Sequence, residues 1–155
     1  MPTGASGITK FKTLQIVHMA LCTGASMFLL ISFLINKDRL NLDIVAASKD
    51  ILVDVGAGFA VMAAILSGVV FNNLLGNVDA HLPLPQRLTR YTNANIVQFA
   101  ILEAAALFNT SLFMITSSIV CAVVAAILIL LMLAKRPQKQ QATERLKVTY
   151  PDVID

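Results

Sequence analysis

One carboxylate, Glu103, is the single charged side chain in a largely apolar run from Tyr91 to Met114. Three polar side chains of the same segment, Asn95, Gln98 and Thr110, and one histidine of an earlier apolar run, His18, are the groups that could act with it. An ionisable side chain inside a membrane-spanning helix is costly, which makes it a functional candidate by default. At 100° per residue, Thr92, Phe99 and Thr110 fall within about 40° of Glu103, and Asn95, Ala106, Asn109 and Gln98 extend the arc to about 140°. Ala94, Val97, Ile101, Ala104 and Phe108 occupy the other side, so the polar groups form a stripe rather than a scatter. Such a stripe must meet another helix, a cavity or a ligand, because unsatisfied polar groups in hydrocarbon cost several kcal/mol each.

The chemistry open to this set is narrow. Glu103 is either a protonated strut bonded between helices, a proton or cation site, or a docking point for a partner subunit. If the first and third helices start level at Lys12 and Arg90, His18 stands near Ile96, roughly 10 Å above Glu103. Direct pairing then needs a vertical shift, and Asn95, Gln98, Thr110 or a water are nearer partners. A metal site is not expected, because the only other histidine, His81, belongs to a loop. His18 is read instead as a hydrogen-bonded interior histidine. No Ser/His/Asp set or paired carboxylates accompany Glu103, so neither an enzyme nor a cofactor is implied.

The elements that carry these residues follow from composition. With 57% hydrophobic and 14% charged residues in 155, the chain is far from the roughly 45–50% apolar and 25% charged of soluble domains. A membrane is the expected solvent, and each span needs about 20 apolar residues. Four such stretches are present, at about 12–35, 51–75, 85–114 and 119–134, giving one all-α domain, an integral membrane four-helix bundle over residues 1–135. The tail 136–155 is polar, with at most a short helix over 143–148, and is expected in water or on headgroups. The first apolar run is too long for a signal-peptide core and is expected to be retained as an anchor. Leu21 before Cys22 rules against a lipoprotein cleavage site, and Cys22 and Cys121 read as reduced, buried thiols.

Asp50 and Asp54 mark the start of the second helix, where carboxylates suit the helix dipole. Within it Gly56, Gly58, Ala60, Ala64 and Gly68 form a small-residue stripe that admits a close helix neighbour, with packing inside the bundle preferred over a dimer seam. Pro83 and Pro85 start the third helix, Thr116-Ser117-Ser118 separates it from the fourth, and Lys135-Arg136-Pro137 ends the fourth. The fourth helix is nearly featureless and is expected to be widely exposed to lipid. The net charge of +3 does not indicate nucleic acid, because the basic residues sit at helix ends and in the tail. Nine of the twelve, Lys10, Lys12, Arg87, Arg90, Lys135, Arg136, Lys139, Arg145 and Lys147, share the side of the termini, and Lys37, Arg39 and Lys49 lie opposite. The positive-inside rule then predicts both termini in the cytoplasm, N-in and C-in.

The run Tyr91-Thr92-Asn93-Ala94-Asn95-Ile96 through Ala100-Ile101-Leu102-Glu103-Ala104-Ala105-Ala106-Leu107-Phe108, with Leu14-Gln15-Ile16 near the start and Arg136-Pro137 after the last helix, resembles a family of uncharacterised four-helix inner-membrane proteins met mainly in Bacteroidota. Where that family places Gly-Pro or a similar small pair after the carboxylate, this chain has Ala104-Ala105. The resemblance implies a multi-pass protein of the bacterial inner membrane and supplies no activity. A fainter likeness is to the double-hairpin proteolipids of rotary ATPases and to small multidrug transporters, which share four helices and one membrane glutamate. The expected role is a non-catalytic accessory or structural subunit, with the lipid bilayer and other membrane subunits or further copies of itself as partners. The alternative is a proton- or cation-coupled transport element built on Glu103.

The charge asymmetry makes a direct prediction. Cysteines introduced as Lys37→Cys and Gln140→Cys should react oppositely with a membrane-impermeant thiol reagent, and labelling of position 140 from the periplasm in intact cells would reverse the orientation.

Overall fold

The structure, a computed structural model, describes residues 4–47, 49–76 and 82–146. His81, Lys147 and the tail beyond residue 146 lie outside the described residues, as does the Lys10 side chain. The described chain is helical throughout: α1 (Gly4–Asn36), a 3-10 turn at Lys37–Arg39, α2 (Ile44–Ala47), α3 (Ile51–Gly76), α4 (Leu84–Thr116), α5 (Ile119–Ala134) and α6 (Lys139–Arg145). Three helices, α1, α3 and α4, are long and apolar enough to cross a membrane, and α5 is a shorter apolar helix. Helix α1 begins about eight residues earlier than its apolar pattern, since residues 4–11 contain no proline and two glycines cost only about 1 kcal/mol each.

Helix boundaries have local causes. The Asp50 carboxylate accepts the Leu52 N–H at 2.9 Å and caps α3. Pro83 precedes α4 and Pro85 lies in its first turn, where a missing N–H loses no helical bond. Helix α4 stops at Ser117, which adopts a left-handed conformation (φ 53°) and returns its N–H to Phe113 O. A non-glycine residue is strained there, and the position is held from outside. Ser117 Oγ donates to Asn36 Oδ1 at 3.1 Å, the Asn41 N–H reaches Ser117 O at 2.9 Å, and the Ile119 N–H reaches Asn41 O at 3.1 Å.

Helix α4 is the hub. It packs against α1, α3 and α5, while α1 and α3 each reach α5 as well. The core forms three layers along the bundle. Cys22, Ala25, Ala60, Ala63, Leu102, Ala105, Ala106 and Leu128 fill the middle, Val53, Leu112, Phe113 and Cys121 one end, and Phe11, Leu14, Leu88, Tyr91 and Phe99 the other. Helix α5 is less featureless than expected, because Cys121, Ala122, Ala125, Leu128, Ile129 and Met132 bury one face and only the remainder is exposed.

The tail departs from the sequence reading. Its helix lies at Lys139–Arg145, earlier than residues 143–148, and it docks on the bundle instead of leaving it. Ala142 and Leu146 are buried among Phe11, Leu14, Leu75, Leu88 and Tyr91. The buried Arg87 donates from Nη1 to Leu146 O at 2.7 Å, and Gln15 Nε2 donates to Pro137 O at 3.3 Å. Two apolar residues four apart were enough to make this polar segment amphipathic.

The small-residue face of α3 is also narrower than the sequence suggested. Val53, Gly56, Ala60, Ala63, Ser67 and Leu75 are buried, and Ala64 is half-buried. A Cβ on Gly56 would stand 2.7 Å from Leu112 Cδ1 and 2.8 Å from Asn109 Oδ1. Gly58 and Gly68 correct the expectation, since a Cβ on either would meet nothing within 4 Å. They lie off the seam because the seam follows alternating three- and four-residue steps through 53, 56, 60, 63 and 67, whereas Gly58 falls on its far side and Gly68 borders a cavity. Gly56→Ala should therefore lower stability by about 1–3 kcal/mol, and Gly58→Ala and Gly68→Ala should leave the melting temperature in detergent unchanged or slightly raised, because alanine is the better helix former. Equal tolerance at all three positions would contradict the α3–α4 contact.

Candidate functional site

The polar residues of α4 do not converge on Glu103. They divide among three places. On the α3 side, Gln98 Nε2 donates to Ser67 O at 3.2 Å, and Asn109 Nδ2 donates to Gly56 O at 3.1 Å and to Ala105 O at 3.0 Å. Both amides are buried, and both act as clamps between helices. Asn95 Nδ2 and Thr110 Oγ1 bond within α4, to Tyr91 O and Ala106 O, each at 2.8 Å.

His18 occupies a second place, between α1, α4 and α5. Its ring meets Phe99 edge-on at 4.6 Å, and Nε2 lies 2.9 Å from Met132 O. A carbonyl can only accept, so Nε2 carries the proton and donates it. The same nitrogen is 3.7 Å from Cys22 Sγ. Because its proton is committed to Met132 O, it is not available as a base toward the thiol, and burial of both residues keeps reactants away.

Glu103 is the third. It sits at the edge of the buried arc of α4, half-exposed, between buried Leu102 and exposed Ala104. Its carboxylate is within electrostatic range of the Cys22 thiol, but no hydrogen bond or ion pair reaches it among the described residues. The structure shows no strut bond at Glu103: the buried arc of α4 is centred near Leu102 and Phe113, and Glu103 lies about 80–100° from that centre, at the rim. The exposed surface beside it is small, with Ala100 and Ala104 one turn apart.

A polar cavity of about 280 Å³ opens at the α6 end, bounded by Asn72, Tyr91, Asn95, Gln98, Lys135 and Arg145. Sequence reasoning missed it because the tail was expected to be detached. The alternation Gln138, Ala142, Leu146 beneath flanking charges was the available signal. Among the described residues no three His, Cys, Asp or Glu side chains gather as a metal site would require.

Comparisons with protein families, with curated proteins and with solved structures find no match to this chain.

The geometry predicts an unusual stability pattern. Gln98→Leu removes a donor between helices and should cost about 0.6–2 kcal/mol. Glu103→Gln and Glu103→Leu remove no bond among the described residues and should change stability by no more than about 0.5 kcal/mol. Chemical unfolding in mixed micelles would measure the three, and a Glu103→Leu loss exceeding that of Gln98→Leu would restore the strut.

Proposed function

We propose that this chain is a multi-pass protein of the bacterial inner membrane, N-in and C-in, that serves as a non-catalytic accessory or structural subunit of a membrane complex. The exposed belt supports the membrane placement: Ile16, Ile35, Ile51, Ile65, Ile115 and Leu130 are all more than half exposed, an arrangement that a water-soluble surface of this extent does not sustain. The ends support the orientation. Lys12, Arg87, Arg90, Lys135, Arg136 and Arg145 mark one end, and Lys37, Arg39 and Lys49 mark the other beside Asp38, Asp43 and Asp50. Helix α5 has 16 residues and rises about 24 Å; the long stems of Lys135 and Arg136 extend its reach to the headgroups.

Glu103 carries the subunit reading. It lies thirteen residues from both Arg90 and Thr116, about 20 Å from each, near the middle of a hydrocarbon layer about 30 Å thick. A half-exposed carboxylate at that depth, with no partner among the described residues, calls for one from outside. Ala100 and Ala104 beside it have the small-xxx-small spacing that lets a second helix approach. The preferred partner is a helix of another subunit bearing a donor or cation at the same depth. Of the small residues of α3, Gly56, Ala60 and Ala63 are already covered by the bundle.

The same placement favours one alternative, a proton- or cation-coupled element in which perimeter carboxylates of several copies are loaded at a shared interface. Native mass in mild detergent separates the two. Co-purification with a larger assembly, reduced at least tenfold by Glu103→Leu while the isolated chain melts normally, is expected for the subunit. A closed ring of identical chains whose function is abolished by Glu103→Gln would replace it with transport, and a stable monomer indifferent to both substitutions would end both.

A further inference from the structure

Two cavities follow one another along α1 and α5. The first, about 500 Å³, lies where α1 leaves the charged end and is bounded by Lys12, Gln15, Ile16, His18, Met19 and Arg136. The second, about 540 Å³, starts within a turn of it at Leu133 and continues along Ile129, Ala126 and Ala122, facing Ser26 and Leu29. The two differ in chemistry. Lys12 and Arg136 are both exposed at the first, and no carboxylate lines it among the described residues. The second is walled by hydrocarbon, and its one hydroxyl, on Ser26, is already donated to Cys22 O at 2.7 Å.

His18 forms the inner wall of the first cavity and is almost fully buried. Its Nε2 is used by Met132 O, and its Nδ1 has no partner among the described residues. That atom is closed off from the cavity, so the charged contacts open to an occupant are those of Lys12 and Arg136.

We propose that the two cavities together hold one anionic phospholipid of the leaflet on the side of the termini. Its phosphate lies between Lys12 and Arg136, and one acyl chain follows the apolar cavity. The depth agrees with this occupant. Lys12 to Ser26 and Arg136 to Ala122 are each fourteen residues, a rise of about 21 Å or one leaflet of a bilayer about 40–45 Å thick, and the apolar cavity continues past that depth to Phe33 and Ile119. Basic pockets between membrane helices on the cytoplasmic side are suited to such headgroups. The site rests on the membrane placement proposed above and is independent of the subunit role.

The test uses the full chain purified from membranes in mild detergent. Sedimentation with the membrane fraction first checks the placement by itself. Native mass spectrometry then follows titration with phosphatidylglycerol, phosphatidylcholine or inorganic phosphate. One phosphatidylglycerol should be retained at least tenfold better than phosphatidylcholine, and inorganic phosphate should not displace it. Lys12→Gln combined with Arg136→Gln should lower retention about tenfold, whereas Lys37→Gln with Arg39→Gln, the same charge change at the other end, should not. Ala126→Phe, about 15 Å below Arg136, should lower retention with the charges intact. Equal retention of the two lipids, equal loss in both charge pairs, or displacement by phosphate alone would overturn the proposal. Should Ala126→Phe fail to fold, the charge pairs decide.

Discussion

The bundle depends on two amides of α4 that must spend their hydrogen bonds where water is absent. Gln98 and Asn109 are eleven residues apart on α4, and the carbonyls they reach, on Ser67 and Gly56, are eleven apart on α3. One antiparallel register satisfies both donors. Sliding either helix by a residue would carry both amides off their acceptors at once and turn Asn109 and Leu112 into a side chain instead of the bare Gly56 backbone. Apolar packing alone tolerates such slips, since one leucine fits a hydrocarbon seam much like another; directional bonds in a low-dielectric setting do not.

That constraint explains which parts of the chain were legible in advance. Four helices and their breaks could be read from apolar runs ended by charges and prolines, because hydropathy and ring geometry act locally. The polar stripe of α4 could be read from its angular spacing, and its buried members do face other helices. What each member bonds could not be read. Three residues separate Gln98 from Ile101 and five separate it from Glu103, but the direction of the core relative to α4 decides that Gln98 is clamped and Glu103 stands at the rim. That direction is a property of three helices together. The same holds for α3, where Gly56 and Gly58 look equivalent in sequence and only Gly56 meets Asn109 and Leu112.

The two ends of the molecule are built on different principles. At the end with Asn36, Asn41 and Ser117, short polar side chains and backbone groups stitch one loop to another around a strained residue. At the opposite end, cations dominate, and Arg87 is buried beneath the tail with its guanidinium on the Leu146 carbonyl. A guanidinium suits that position because its several donors can satisfy backbone oxygens while its stem packs against apolar neighbours. The tail was misjudged from sequence because its apolar contribution is only Ala142 and Leu146, too little to stand out from a polar run, yet sufficient when a hydrophobic recess is already waiting.

That recess gives the docked tail a further property. Its walls come from Phe11 and Leu14 of α1, Leu75 of α3, and Leu88 and Tyr91 of α4, so no single hairpin can receive it. Since α6 follows every long helix along the chain, its seat exists only after the earlier helices have closed on one another. The tail is thus a built-in check on completed assembly: a chain with one helix misplaced would leave residues 138–146 hanging at the surface, open to a protease that a finished bundle would turn away.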